Sequence, residues 1–141
     1  MKRLFRFVLS VSVSLYRLTH GKFGGHVQGL QVLLLTTVGR KSGEARTRPL
    51  GYFMDNGNYV ITASSAGFDT NPAWFHNQRA NPRVKIEIKD RQMEAEAKVA
   101  PPEKRNALWS KLISLSPAYA NYAKKTSREI PLIILRPLKN G

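Results

Sequence analysis

Cysteine is absent from the 141 residues, which excludes disulfides, thiolate nucleophiles and cysteine metal sites. Carboxylates are scarce, with 9 Asp and Glu against 23 Lys and Arg. A hydrolase built on paired acids finds no support, and Glu87, Glu94 and Glu96 read as charges on a solvated strand face. The 3 histidines, His20, His26 and His76, show no ligand spacing, so no structural or catalytic metal is expected. His76 could serve as a base, but a lone histidine on a short helix reads more simply as a surface or hydrogen-bonded structural residue. No apolar run approaches the ~20 residues of a membrane span. Internal repeats, low-complexity segments and a nucleophile–base–orienter set are also missing.

What is present is an ordinary globular composition, 42% hydrophobic and 23% charged, in a chain long enough for one domain with a real core. The net charge is +14. Nine of the cations, opposed by Glu44 alone, lie in the first 50 residues, which carry +8 of that total. Such a field attracts polyanions: nucleic acid, an anionic membrane surface or a multiply charged cofactor. The interleaved aromatic and basic strands of a single-strand-binding surface are lacking, so nucleic acid is not the expected partner.

The densest positive region follows an apolar run, Val32–Leu35. There Gly39-Arg40-Lys41-Ser42-Gly43 sets two cations and a hydroxyl between glycines, with Arg46 and Arg48 close behind. Glycines permit positive φ, which lets successive N–H groups converge on an anion. A phosphate or carboxylate cradle and a solvated basic hairpin turn both fit these residues. A P-loop does not, because Arg40 precedes Lys41-Ser42 and Leu35 stands where the earlier glycine belongs.

The chain divides into an N-terminal basic and apolar helix, residues 1–20, and a barrel-forming remainder, residues 21–141. In the first segment Phe5, Val8, Leu9, Val13 and Tyr16 form an apolar side, while Arg3, Arg6 and Arg17 could reach phosphate headgroups. Attachment to an anionic membrane surface through residues 1–18 and packing on the chain's own domain are both open. A glycine-rich connector, Gly21 to Gly29, leads to strands expected at Leu30–Val38, Thr47–Asp55 and Tyr59–Ala63, the last two joined at Asn56-Gly57. Asn71 is the expected N-cap of a helix over Pro72–Ala80. Alternation predicts strands at Val84–Lys89 and Met93–Val99. Pro101-Pro102 opens a helix to about Leu115, broken by Ser116-Pro117, and Ile130–Leu135 suits a central strand. Antiparallel strands with inserted helices imply a small α+β protein, a β-barrel with helices packed outside it.

The remaining candidates for chemistry are hydroxyls and aromatics: Ser64, Ser65, Trp74, Tyr119 and Tyr122. Tyr119 and Tyr122 share a face if that segment is helical. Core or rim packing accounts for them, and so does a redox site in which a cofactor supplies the hard chemistry.

Leu33–Gly43 with Arg46 and Pro49-Leu50, then Asn71–Asn77, Arg79–Pro82 and Arg128–Pro131, resembles the deazaflavin (F420)-dependent nitroreductase family over roughly residues 15–137. Tyr16-Arg17-Leu18 and Gly24-Gly25 are also similar to its N-terminal part. The resemblance implies a mostly antiparallel split β-barrel related to FMN-binding barrels, and reduced coenzyme F420 as hydride donor, with FMN as the chemical rival. It implies that Arg40, Lys41, Ser42 and Arg46 hold the cofactor phosphate, with Gly39, Gly43 and Pro49 in the same motif. Ser64, Ser65 and Trp74 would lie near the ring system or its linker, Asn77 in the same pocket. Ser64, Tyr119 and Tyr122 would face the acceptor as catalytic residues. The sequence departs from nitroimidazole-reducing relatives, which carry tyrosines where Ser116 stands and near Gly51, and often lysine in place of Ser65. The implied activity is therefore hydride transfer from reduced F420 to a quinone, activated enone or nitro compound. The rival is a non-catalytic F420 carrier. The expected location is cytoplasmic, with peripheral attachment to the inner membrane face left open by the N-terminal segment.

Overall fold

The computed structural model describes residues 13–19, 21, 26–27, 29–64 and 71–138. Helix α1 covers residues 13–18. Strands β1 (His26–Val27), β2 (Leu30–Val38), β3 (Ala45–Asp55) and β4 (Asn58–Thr62) precede helix α2 (Ala73–Ala80). Then come β5 (Arg83–Ile88), β6 (Arg91–Val99), α3 (Pro102–Leu115), α4 (Ala118–Lys124) and β7 (Leu132–Pro137).

All strand pairings are antiparallel, in the order β1-β2-β3-β4-β7-β6-β5. The sheet closes because β2 has two edges to offer. One carries β3 from Gln31↔Tyr52 to Val38↔Ala45. The other carries β1 at residues 30–31 and β5 at Leu34↔Glu87 through Thr36↔Lys85. Six strands thus form a closed antiparallel barrel with helices outside.

Alternation assigns the side chains. Leu33 and Leu35 join Tyr52, Ile61, Val84, Ile86, Ala95, Ala97, Ile133 and Leu135 inside the barrel. Val32 and Leu34 point outward and are buried by Val13 and Tyr16 of α1. The unbroken apolar run Val32–Leu35 therefore serves two cores. On another outer face, Phe53, Val60 and Leu132 pack against Leu108 and Leu112 of α3 and Tyr119 of α4. Trp74 and Phe75 of α2 plug one end of the barrel.

Several expectations shift. Strand β5 ends at Ile88, because Lys89 turns over with φ of 58° and gives its N–H to the Tyr16 hydroxyl at 2.8 Å. Strand β3 begins two residues early and β6 likewise, as their hydrogen-bond ladders run into the turns. Strand β7 starts at Leu132, not Ile130, and its lead residue Pro131 accepts the Ala63 N–H at 3.0 Å. Asn71 is not the α2 N-cap. Pro72 takes that position without a side-chain cap, and the Asn71 carboxamide is engaged by Arg128 instead. The Asn56-Gly57 turn is as expected, both residues at positive φ in a two-residue hairpin.

The N-terminal alternatives divide. Val13 and Tyr16 are spent on the barrel, where the Tyr16 hydroxyl donates to Val32 O at 2.9 Å. Arg17 pairs with Glu87 at 2.9 Å, which leaves Glu87 only 14% exposed rather than on a solvated face. Phe5, Val8, Leu9, Arg3 and Arg6 lie outside the described residues, as does Gly24-Gly25. Among the described residues, no helix is long and apolar enough to cross a membrane.

Candidate functional site

The barrel is split along β3. Strand β4 pairs with β3 only from Phe53↔Val60 to Asp55↔Asn58, then leaves it to follow β7 as far as Thr62↔Leu132. Residues 46–51 of β3 consequently have β2 on one side and, among the described residues, no strand on the other. All six are half-buried, as befits a surface neither packed nor fully solvated. This edge forms one lip of the split, and the end of β4 at Thr62–Ser64, which diverges from it, forms the other.

The basic turn lies at the β2–β3 end of this lip. It is built differently from the expectation that both glycines supply positive φ: only Gly43 does, at +73°. Gly39 is required by crowding, since a Cβ there would stand 2.6 Å from Ser42 Oγ. The Gly39 N–H donates to Glu44 O and the Gly43 N–H to Gly39 O, both at 2.8 Å. Ser42 Oγ accepts the Glu44 N–H at 3.2 Å. The Arg40 N–H donates to Asn77 Oδ1 at 3.1 Å, and Asn77 Nδ2 donates to Thr37 Oγ1 at 3.4 Å. Among the described residues, the Lys41 and Ser42 N–H groups form no hydrogen bond, so they are the donors this turn has left for a ligand. Arg40 and Lys41 have no carboxylate partner there, whereas Arg46 reaches Glu44 at 3.2 Å.

Asn77 is buried and supports the turn from beneath instead of lining an open pocket. Trp74 is 6% exposed, packed in the barrel end. Pro49 faces the outside of β3, opposite Leu34. Ser65 lies outside the described residues. Ser64 is present at the far lip, where its carbonyl accepts Arg128 Nη2 at 2.9 Å.

Tyr119 and Tyr122 meet edge to face, with ring centroids 5.4 Å apart. Both belong to the outer cluster under α3 and α4, a different packed group from that of Trp74. Tyr119 reaches the end of β4 by a hydrogen bond with the Thr62 side chain. Burial pushes its phenol above the usual tyrosine range, a shift that the Thr62 hydrogen bond opposes and nearby Tyr122 assists. Tyr119 is therefore protonated at neutral pH. Ser116, where relatives of the resembled family have tyrosine, is 1% exposed, and its hydroxyl has no partner among the described residues. His76 lies edge-on to Phe75, as a structural residue does. No cluster of metal-ligating side chains exists among the described residues.

Three contributors had no assigned role from sequence: Thr37, which anchors Asn77; Thr62, which meets Tyr119; and Arg128, which holds both Ser64 and Asn71. For Arg128 the only signal was its place in the Arg128–Pro131 motif. For the threonines no local signal exists.

A closed antiparallel barrel left open along β3, with a basic turn at the end of that opening, is a split-barrel architecture. The chain belongs to the F420H(2)-dependent quinone reductase family, whose description matches residues 8–137. It is 35% identical over 133 residues to an F420H(2)-dependent quinone reductase of Mycobacterium tuberculosis, covering 91% of this chain and 89% of that one. Among solved structures, one described as a domain-swapped dimer superposes with a TM-score of 0.71 at 32% identity, covering 94% of this chain and 98% of its own. Another, an F420-H2 dependent reductase, gives 0.68 at 36%, covering 74% and 93%. Reduced coenzyme F420 is thus the hydride donor, and the protein is an F420H2-dependent oxidoreductase.

Proposed function

We propose that the protein reduces a quinone, taking hydride from reduced F420 bound along the split. The observation that carries the placement is the free, half-buried edge of β3 running into a turn with unbonded N–H groups and unpaired cations. F420 bears a phosphodiester and a glutamate tail, so its negative end matches that turn. Arg40, Lys41, Ser42 and Arg46 would hold the phosphate, Gly39 and Gly43 would shape the turn, and Pro49 would flank it. Ser64, Ser65 and Trp74 would border the ring system, and Asn77 would brace the cradle.

The bound coenzyme supplies a hydride from C5 of its ring. Quinone reduction needs that hydride to reach the hydroquinone anion and one proton to neutralise it. Tyr119, held neutral, can donate a hydrogen bond toward a developing oxyanion but releases its proton reluctantly. Tyr122, more exposed than Tyr119, lies nearer bulk water, which is the proton source. Ser64 would orient the acceptor from the β4 lip. Enones and nitro compounds are the alternative acceptors.

A cytoplasmic protein whose first twelve residues meet an anionic membrane would draw its quinone from the lipid. Lys2, Arg3 and Arg6 beside Phe5, Val8 and Leu9 support that placement. Co-sedimentation with anionic vesicles, full chain against a chain lacking residues 1–12, tests it. Equal partition of both rejects it.

The central experiment is tryptophan quenching by F420 and by FMN, with Lys41→Ala and Arg46→Ala alongside. F420 binding that both substitutions leave intact would remove the cradle from the reading. Stopped-flow oxidation of reduced F420 by menadione, an enone and a nitroimidazole then ranks the acceptors. Turnover with none of them would leave a carrier.

A further inference from the structure

Arg128 lies between α4 and β7, and its guanidinium joins two segments that the sequence separates. Nη1 donates to Asn71 Oδ1 at 2.7 Å, and Nη2 donates to the Ser64 carbonyl at 2.9 Å. Ser64 is where the chain leaves β4, and Asn71 is where it approaches α2. The neighbouring backbone bond, Ala63 N–H to Pro131 O at 3.0 Å, fixes the segment that leads from Arg128 into β7 against the same lip.

This lip is paired to β7 but not to β3. Among the described residues, no strand pairing ties β4 to β3 beyond Phe53↔Val60, so the width of the split is not set across it. It must be set from behind, by β7 and by whatever holds Ser64. A planar guanidinium presents donors at fixed separation and direction, which suits two acceptors on different segments; an ammonium is a point donor. Both bonds are charge-assisted, stronger than neutral ones.

We propose that Arg128 is a positioning residue for the F420 site. By clamping Ser64 to Asn71 it holds the β4 lip at a set distance from the free edge of β3. The same grip orients the start of α2, whose Trp74 and Asn77 close the barrel end and brace the basic turn. Arg128 acts through these residues and not on the reacting atoms. The inference rests on the placement of F420 in the split.

The test compares the full chain with Arg128→Ala and Arg128→Lys in three measurements. These are F420 affinity by tryptophan quenching, amide hydrogen exchange without cofactor, and rescue by added methylguanidinium. Arg128→Ala should weaken F420 binding at least tenfold, about 1.4 kcal/mol. Exchange should quicken over residues 71–77 while the β5–β6 ladder stays protected. Methylguanidinium should restore part of the affinity of Arg128→Ala only. Arg128→Lys should regain thermal stability without regaining affinity, and this variant keeps the test alive if Arg128→Ala folds poorly. Wild-type affinity in either variant overturns the proposal, as does unchanged exchange at 71–77. If the unsubstituted protein does not bind F420, the cofactor placement fails and the positioning role with it. The exchange data then still read the clamp separately.

Discussion

Arg40 and Asn77 stand 37 residues apart, yet the Arg40 backbone N–H donates to Asn77 Oδ1 at 3.1 Å. The same carboxamide donates to Thr37 Oγ1, so one buried side chain ties the tip of the basic turn to α2 and to the end of β2. A flexible hairpin tip has thereby become a fixed one.

Asn77→Ala should leave a part-buried N–H and a buried hydroxyl without their partner, at about 1–3 kcal/mol of stability. F420 affinity should fall by roughly tenfold as the turn loosens, about 1.4 kcal/mol. Urea unfolding and fluorescence titration check the two effects. Unaltered affinity in a destabilised variant would mean that the turn holds its shape alone.

Gly39 and Ser42 are coupled by space. A methyl at Gly39 meets Ser42 Oγ at 2.6 Å, so Gly39→Ala must displace the hydroxyl from its bond with the Glu44 N–H. Ser42→Ala removes the obstacle. A double-mutant cycle in F420 affinity should show the pair costing less than the sum, by about 0.5–1.5 kcal/mol. Strict additivity would show that the turn relaxes without engaging Ser42.

Alkaline pH should unfold the protein through its buried phenols. Burial raises Tyr16, Tyr52 and Tyr119 above the ordinary value of about 10. The folded state then holds these protons more tightly than the unfolded chain. Their contribution is complete below about pH 10 and is lost as pH rises through the higher folded values. Tyr119→Phe should flatten the alkaline limb of the stability curve, measured by urea midpoints and tyrosinate absorbance. An unchanged limb would contradict the burial argument.

Ser116→Ala removes a buried hydroxyl with no partner among the described residues and leaves the backbone bond from its N–H to Leu112 O untouched. Stability should be unchanged or rise by up to about 1 kcal/mol. A clear loss in the urea midpoint would reveal a hydrogen bond formed in solution.

Local pattern carried a good deal of this fold. Leu30–Val38 is bounded as the apolar run predicts, Asn56-Gly57 makes the tight hairpin, and Pro101-Pro102 and Ser116-Pro117 bracket α3. These features depend on backbone restrictions and side-chain periodicity, which neighbouring residues settle among themselves. The site was legible in part. The basic turn stood out by composition, and the family resemblance named F420 as the protein's hydride donor.

What contiguous sequence could not hold is which distant residues meet. Asn71 looks like a helix cap, but the stronger cationic donor of Arg128 claims its carboxamide. Val13 and Tyr16 look free for lipid, but the outward face of β2 was apolar and needed covering. By itself the sequence determined the strands, the turns and a concentration of positive charge. Only tertiary structure decided where the barrel stays open, because a strand edge is free or paired according to where its neighbour turns away. It also decided which side chains support the opening, since that depends on burial shared between residues far apart in the chain.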